Sequence, residues 1–256
     1  MYLLFLQLAV ATASAFAGAA LGVGMGRGGR GRLTTLVYCA AGVLLAVTLF
    51  DILPEAKSEL SWPAFLIAAV SGYGLFWLIS HYVAHLCPAC STSMLDEVTA
   101  DRWSRSSILL MVALAIHCAM DGVAIAVSGE GTHGANLPVL IAVSFHKVPE
   151  GMALALYLLG AGHTARRALL FAILVESTTL IGGVLGVQRL IAIPASWFGL
   201  LFAHVGGGFL FLVGTTFQDF AHGSIAAARR RPLLLGSGIA FSVTAALLWT
   251  IHVHGF

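Results

Sequence analysis

The sequence predicts an all-α integral membrane protein, with eight transmembrane helices in an inverted-repeat bundle and both termini outside. Three observations carry this expectation. Hydrophobic residues make up 59% of the 256-residue chain and charged residues only 9%, more apolar surface than a soluble domain of this length could bury. Eight stretches reach the roughly 20 apolar residues that one helical span requires. Finally, the basic residues are concentrated in alternate loops. A bilayer offers no water to the backbone, so such stretches must be helices. A transmembrane barrel would show shorter, alternating segments and is rejected.

The first span, Tyr2–Gly24, contains the small residues Ala11 to Ala17, which could pass for a cleavage region. It has no positive leader and its apolar run is long, so it reads as a span. The second, Leu33–Leu53, runs into Asp51, Pro54 and Glu55. The third, Pro63–Ala84, ends in a His- and Cys-bearing segment. The fourth and fifth, Ser106–Ser128 and Asn136–Leu159, hold most of the charge found at membrane depth. The sixth, Ala168–Val187, carries Glu176. The seventh, Ser196–Phe217, carries His204 just before three glycines, and the eighth is Leu233–His254. The loops are short, which leaves residues 1–256 as a single polytopic domain.

Arg27, Arg30, Arg32, Arg102, Arg105, Arg166, Arg167, Arg229, Arg230 and Arg231 fall in the loops after odd-numbered spans. Only Lys57 and Arg189 fall in the others. Basic loops stay in the cytoplasm, which turns both termini outward. The net charge of +2 therefore reports topology and contact with membrane lipids, not nucleic acid. Cys39 and Cys118 lie in spans, and Cys87 and Cys90 lie on the cytoplasmic side, so no disulfide framework is expected.

An ionisable group at membrane depth costs about 2.5–3.5 kcal/mol even on lenient scales, and usually marks a pathway. This chain has a cluster of them. Mid-span four reads His117-Cys118-Ala119-Met120-Asp121-Gly122, and mid-span five reads His146-Lys147-Val148-Pro149-Glu150-Gly151. In each, the imidazole and the carboxylate are four residues apart and share a helix face. The glycine after each acid allows another helix close. The two spans run in opposite directions, so the twin motifs form a short inverted repeat, a common way to build a midplane site. Pro149 frees the carbonyl one turn earlier, which could kink the helix or face an ion. Imidazole plus carboxylate suits zinc, iron, manganese or cadmium better than magnesium or calcium. A structural His–carboxylate network is the plainer alternative.

At these residues the chain resembles the ZIP family of divalent-metal transporters. The two motifs look like that family's fourth- and fifth-span signatures, with weaker similarity at Leu53-Pro54-Glu55 and at the acid of span six. The resemblance implies a fold of eight helices and a metal site between spans two, four, five and six, with metal moving toward the cytosol. The candidate ligands are His117, Asp121, His146, Glu150 and Glu176, with Asp51 as an outer ligand.

Many members carry Asn or Asp at the second position of each signature and hold a second metal there. This chain has Cys118 and Lys147 instead. A fixed ammonium should repel a second divalent ion, so the site is expected to be mononuclear, with Lys147 standing in for the second ion and neutralising Asp121 and Glu176. The cargo expected is a divalent metal ion, zinc first, with no organic cofactor.

His81, His85, Cys87 and Cys90 supply four zinc-type ligands within ten residues at the inner end of span three, a candidate auxiliary metal site. The glycines after His204 point to close helix packing, with His204 a hydrogen-bonded neighbour. Two other functions compete. One is an intramembrane metalloenzyme in which bound metal activates water and Glu150 or Asp121 acts as base. It lacks an obvious nucleophile or a His-Glu-x-x-His pattern. The other is a haem carrier ligated by His117 and His146, which the adjacent acids oppose. Transport is the leading reading, in a bacterial inner (plasma) membrane, with the protein not an enzyme and a homodimer left open.

Overall fold

In the computed structural model, the described residues are 2–28, 30–82, 97–128, 137–187, 195–221 and 227–254, and every element among them is helical. The first long helix, α1 (Tyr2–Gly26), is followed by α2 (Arg30–Val47), a π-helical turn (Thr48–Ile52) and the short α3 (Leu53–Ser58). Then come α4 (Trp62–Tyr82), α5 (Glu97–Ser128) and α6 (Leu137–Gly160). The chain continues through α7 (Ala165–Glu176), α8 (Thr178–Val187), α9 (Ala195–Ala221) and α10 (Ala227–His254). Seven segments among the described residues are long and apolar enough to cross a membrane.

Two predicted spans are interrupted, each at an acid. In span two, the backbone N–H of Leu53 donates to the carbonyl of Thr48, the five-residue step of a π turn. One extra residue in the turn rotates the remainder of the span by about 100° relative to a regular helix, and Asp51 sits within this turn. Span six breaks after Glu176. There the Ser177 hydroxyl donates to the Ile173 carbonyl (2.6 Å), and the Thr178 hydroxyl is shared between the carbonyls of Val175 (2.7 Å) and Ala115 of α5 (2.8 Å). Side-chain hydroxyls thus re-satisfy backbone groups that hydrocarbon could not.

The turn from α6 into α7 is built differently. Gly162 takes φ 88°, a left-handed value open to glycine. That geometry lets the N–H of His163 reach back to the Leu158 carbonyl and that of Gly162 to the Leu159 carbonyl, both at 3.0 Å, closing α6 with its last carbonyls paired. Thr164 then caps α7, its hydroxyl accepting from the N–H of Arg167 (3.3 Å). Partial burial and the neighbouring Arg167 guanidinium hold the His163 imidazole below its ordinary pKa.

The helices associate in four principal pairs, α1 with α6, α5 with α8, α4 with α9 and α2 with α10. Exchanging α5 for α6, α8 for α1, α2 for α9 and α4 for α10 leaves this pairing unchanged, as an internally repeated bundle requires. Glycines set the two central pairs. A Cβ on Gly122 would meet the carbonyl of Thr179 on α8, and one on Gly182 would meet the carbonyl of Ala119 on α5. Likewise Gly151 faces the carbonyl of Ala15 on α1, and Gly18 faces that of Val148 on α6. Apolar side chains gain nothing by leaving lipid for one another, so backbone-to-backbone contact through small residues drives such pairing. The same device joins α4 and α9, where Gly207 lies against the Ala69 carbonyl. As expected, His204 sits beside it as a hydrogen-bonded neighbour, its Nδ1 2.9 Å from Ser71 Oγ.

Candidate metal centre

The glycine contacts fix the depth and rotation of α5 and α6, and with them the polar groups that sit beside the glycines. His117, Asp121, His146, Lys147, Glu150 and Glu176 are all buried, with Lys147 and Glu176 completely inaccessible. They meet one another. His117 Nε2 lies 3.0 Å from Glu150 Oε1 and 3.6 Å from Asp121 Oδ2. His146 Nε2 lies 3.6 Å from Asp121 Oδ2, and its Nδ1 is 3.1 Å from Asp51 Oδ2 at the π turn.

The expected pairing within each motif is therefore only part of the arrangement. His117 has its own motif's acid nearby, but its shorter contact is with the acid of the other motif. His146 reaches Asp121 across the helix interface in the same way. Helix spacing puts His146 and Glu150 on one face, and the interface decides which acid each imidazole meets.

One ligand atom each from His117, Asp121, His146 and Glu150 can be chosen so that all four lie within 4.8 Å of one another. Both ring nitrogens of His117 and of His146, and both carboxylate oxygens of Glu150, are buried without an aligned hydrogen-bond partner among the described residues. Polar atoms left so in a protein interior are uncommon. Lone pairs converging on one point, not hydrogen bonds between them, are what a coordinated cation needs. The ring of His117 is held edge-on by Phe202 and Phe209, at centroid distances of 5.8 and 6.1 Å.

Beside this cage lies a second group, Cys118, Glu150 and Glu176, whose ligand atoms also fall within 4.8 Å of one another. It already contains a cation. Lys147 Nζ is 2.8 Å from Asp121 Oδ2, 3.5 Å from Glu176 Oε2 and 3.6 Å from Glu150 Oε2. The Cys118 thiol donates to Glu176 Oε2 at 3.1 Å. Glu176 thus stands with Lys147 and Cys118, apart from the two imidazoles. Glu150 is common to both groups, one carboxylate oxygen near His117 and the other near Lys147.

Two further polar and aromatic pairs lie toward the Gly160 end of α6. Tyr157 and Thr216 are buried and joined by a 2.6 Å hydrogen bond between their hydroxyls, and Tyr38 stacks at a tilt on Phe217 with centroids 5.7 Å apart. Of the expected auxiliary cluster, His81 is exposed and stacked on Trp77, with ring centroids 5.4 Å apart. His85, Cys87 and Cys90 lie outside the described residues. Among the described residues, Cys39 and Cys118 are free thiols. Glu55, in the Leu53-Pro54-Glu55 stretch that carried the weaker similarity, is exposed on α3, one turn beyond Asp51.

Comparison with known proteins agrees with this chemistry. The profile of a family described as ZIP Zinc transporter matches residues 89–224, more than half of the chain. An Arabidopsis thaliana protein named "Putative zinc transporter At3g08650" is 28% identical over 158 residues, covering 61% of this chain and 23% of that protein. The Methanocaldococcus jannaschii protein named "Uncharacterized protein MJ1036" is 26% identical over 169 residues, 66% of each. The matched region thus spans less than two thirds of either relative. The family match includes both His-x-x-x-acid motifs and Glu176, and the chain, an integral membrane protein, belongs to the ZIP zinc transporter family.

Proposed function

We propose that this protein moves divalent transition-metal ions, zinc first among them, toward the cytoplasm by alternating access, through a single-ion site formed by His117, Asp121, His146 and Glu150. The convergence of these four buried ligands, one atom of each within 4.8 Å of the others and both imidazoles without aligned hydrogen bonds, is the observation that carries the reading. Two imidazoles and two carboxylates suit a borderline ion such as zinc. Asp51 holds His146 from behind and serves as the outer contact for an arriving ion. The chain acts as one domain of eight spans with both ends outside, an orientation supported by the ten-to-two split of basic residues between alternate loops.

Lys147 replaces a second ion in this reading. Asp121, Glu150 and Glu176 bring three negative charges, and the ammonium with one divalent ion balances them. An ion can then be held without leaving a large uncompensated charge in hydrocarbon. Ligands must lose protons to bind metal, so uptake falls as the medium is acidified.

The test is zinc uptake into vesicles containing the purified protein, together with its metal content by elemental analysis. Wild type should carry zinc inward and hold about one tightly bound ion. His146→Ala should lose both. Uptake by His146→Ala at the wild-type rate would remove the site from the pathway.

A further inference from the structure

A cleft of about 290 Å³ lies behind His146, between α2, α6 and α10. Its walls include Val43 and Val47 of α2, His146 and Met152 of α6, and Thr244 and Leu247 of α10. We propose that this cleft is a binding site for one acyl chain of a membrane lipid.

Water does not suit it. At about 30 Å³ each, on the order of ten waters would fill the space, and each would need two to four polar partners. Among the lining residues only His146 and Thr244 bring polar side-chain groups, and the His146 nitrogens are turned to Asp51 and Asp121. An empty cleft is unfavourable as well, because the lining atoms lose dispersion contacts with nothing in return.

The cleft is also continuous with the surface that lipid covers. Leu247 lines it and is 42% exposed on α10, and Ile239 and Val243 on the same helix are 63% and 54% exposed. Deeper in, Val47 and Leu248 line the same space at 1% and 2% exposure. Its floor is the helix carrying the second metal motif, beside Pro149. The occupant of an apolar cleft that opens to a bilayer from a membrane-embedded wall is the hydrocarbon of that bilayer. Seated there, the chain backs the His146 ring with a dry surface and keeps water from reaching the site laterally.

Photolabelling tests this with the full-length protein in phosphatidylcholine vesicles containing a phospholipid that carries a diazirine partway along one acyl chain. After irradiation, adducts are mapped by mass spectrometry. The expected result is labelling at Val47 or Met152 in addition to the exposed residues Ile239 and Val243. In Thr244→Phe, which fills the cleft from α10, the adducts at Val47 and Met152 should be lost while those at Ile239 and Val243 remain. Val47→Phe, which fills it from α2, should abolish the Met152 adduct in the same way, so one poorly folding variant does not decide the outcome. Labelling confined to Ile239, Val243 and Leu247 in wild type would overturn the proposal. So would Met152 adducts that persist in both filled variants, or protection of the cleft by a second copy of the chain, seen as dimers under chemical cross-linking. None of these readouts depends on which ion is carried or on whether transport occurs.

Discussion

The two ligand groups share Glu150 and sit side by side, yet they differ in what they already contain. The cage of His117, Asp121, His146 and Glu150 brings two imidazoles without aligned hydrogen bonds to two carboxylates, of which Asp121 also touches the Lys147 ammonium. The group of Cys118, Glu150 and Glu176 has an ammonium among its carboxylates and a thiol donating to one of them. On the proposed reading the first receives a cation and the second keeps one, with Asp121 in contact with both. The difference comes from a single side chain, since Lys147 follows His146 directly and carries its charge to the other side of Glu150.

The strongest way to break the comparison is to remove what the groups share. Glu150→Ala should abolish high-affinity zinc binding in a calorimetric titration. It deprives His117 of its 3.0 Å partner and Lys147 of one of its three acids. Binding at wild-type affinity would show that Glu150 serves neither group.

Next in size is the conversion of one group into the other. Lys147→Asn removes the resident cation, and elemental analysis should then find about two zinc ions per chain where wild type holds about one. Without metal the variant leaves buried acids uncompensated, a loss on the order of 3–5 kcal/mol for a broken buried pair. Its thermal stability should therefore depend more steeply on added zinc than that of wild type. An unchanged stoichiometry with intact uptake would mean that the ammonium is only a structural partner.

A smaller effect separates Glu176 from the ligands. Glu176→Gln should weaken zinc binding by roughly the 10–100-fold seen when partners of metal ligands are lost, because Lys147 would then shift its charge onto Asp121 and Glu150. Combined with Lys147→Met, the same substitution should have little further effect. Equal losses in both backgrounds would make Glu176 a direct ligand. Least of all, Cys118→Ala removes one hydrogen bond to Glu176 and should cost about 1 kcal/mol in thermal unfolding, with zinc affinity nearly unchanged.

The chain order of the helices was legible without coordinates because hydrocarbon tolerates little else. Helices α1, α4 and α6 lie in stretches that long apolar runs had marked as helical. The twin motifs were legible for the same reason, since six ionisable residues at membrane depth must find one another or an ion. Gly122 and Gly151 announced close packing, and they make it. The interruptions were hidden. Nothing in the run Thr48 to Ile52 marks a π turn, and the break after Glu176 rests on hydroxyls that an unbroken helix would also accommodate.

The sequence was enough to establish a membrane-embedded helical protein and to say which side chains would be stranded in hydrocarbon. Residue spacing along one helix is fixed by the 3.6-residue turn, so each motif's shared face could be read directly. It took the tertiary structure to turn His117 to Glu150, to bring Asp51 to His146 from its π turn, and to join Glu176 with Lys147 and Cys118. Those contacts cross between helices. Their partners depend on how deeply and at what rotation glycine-mediated packing seats one helix against the next, a quantity that no spacing within a single helix contains.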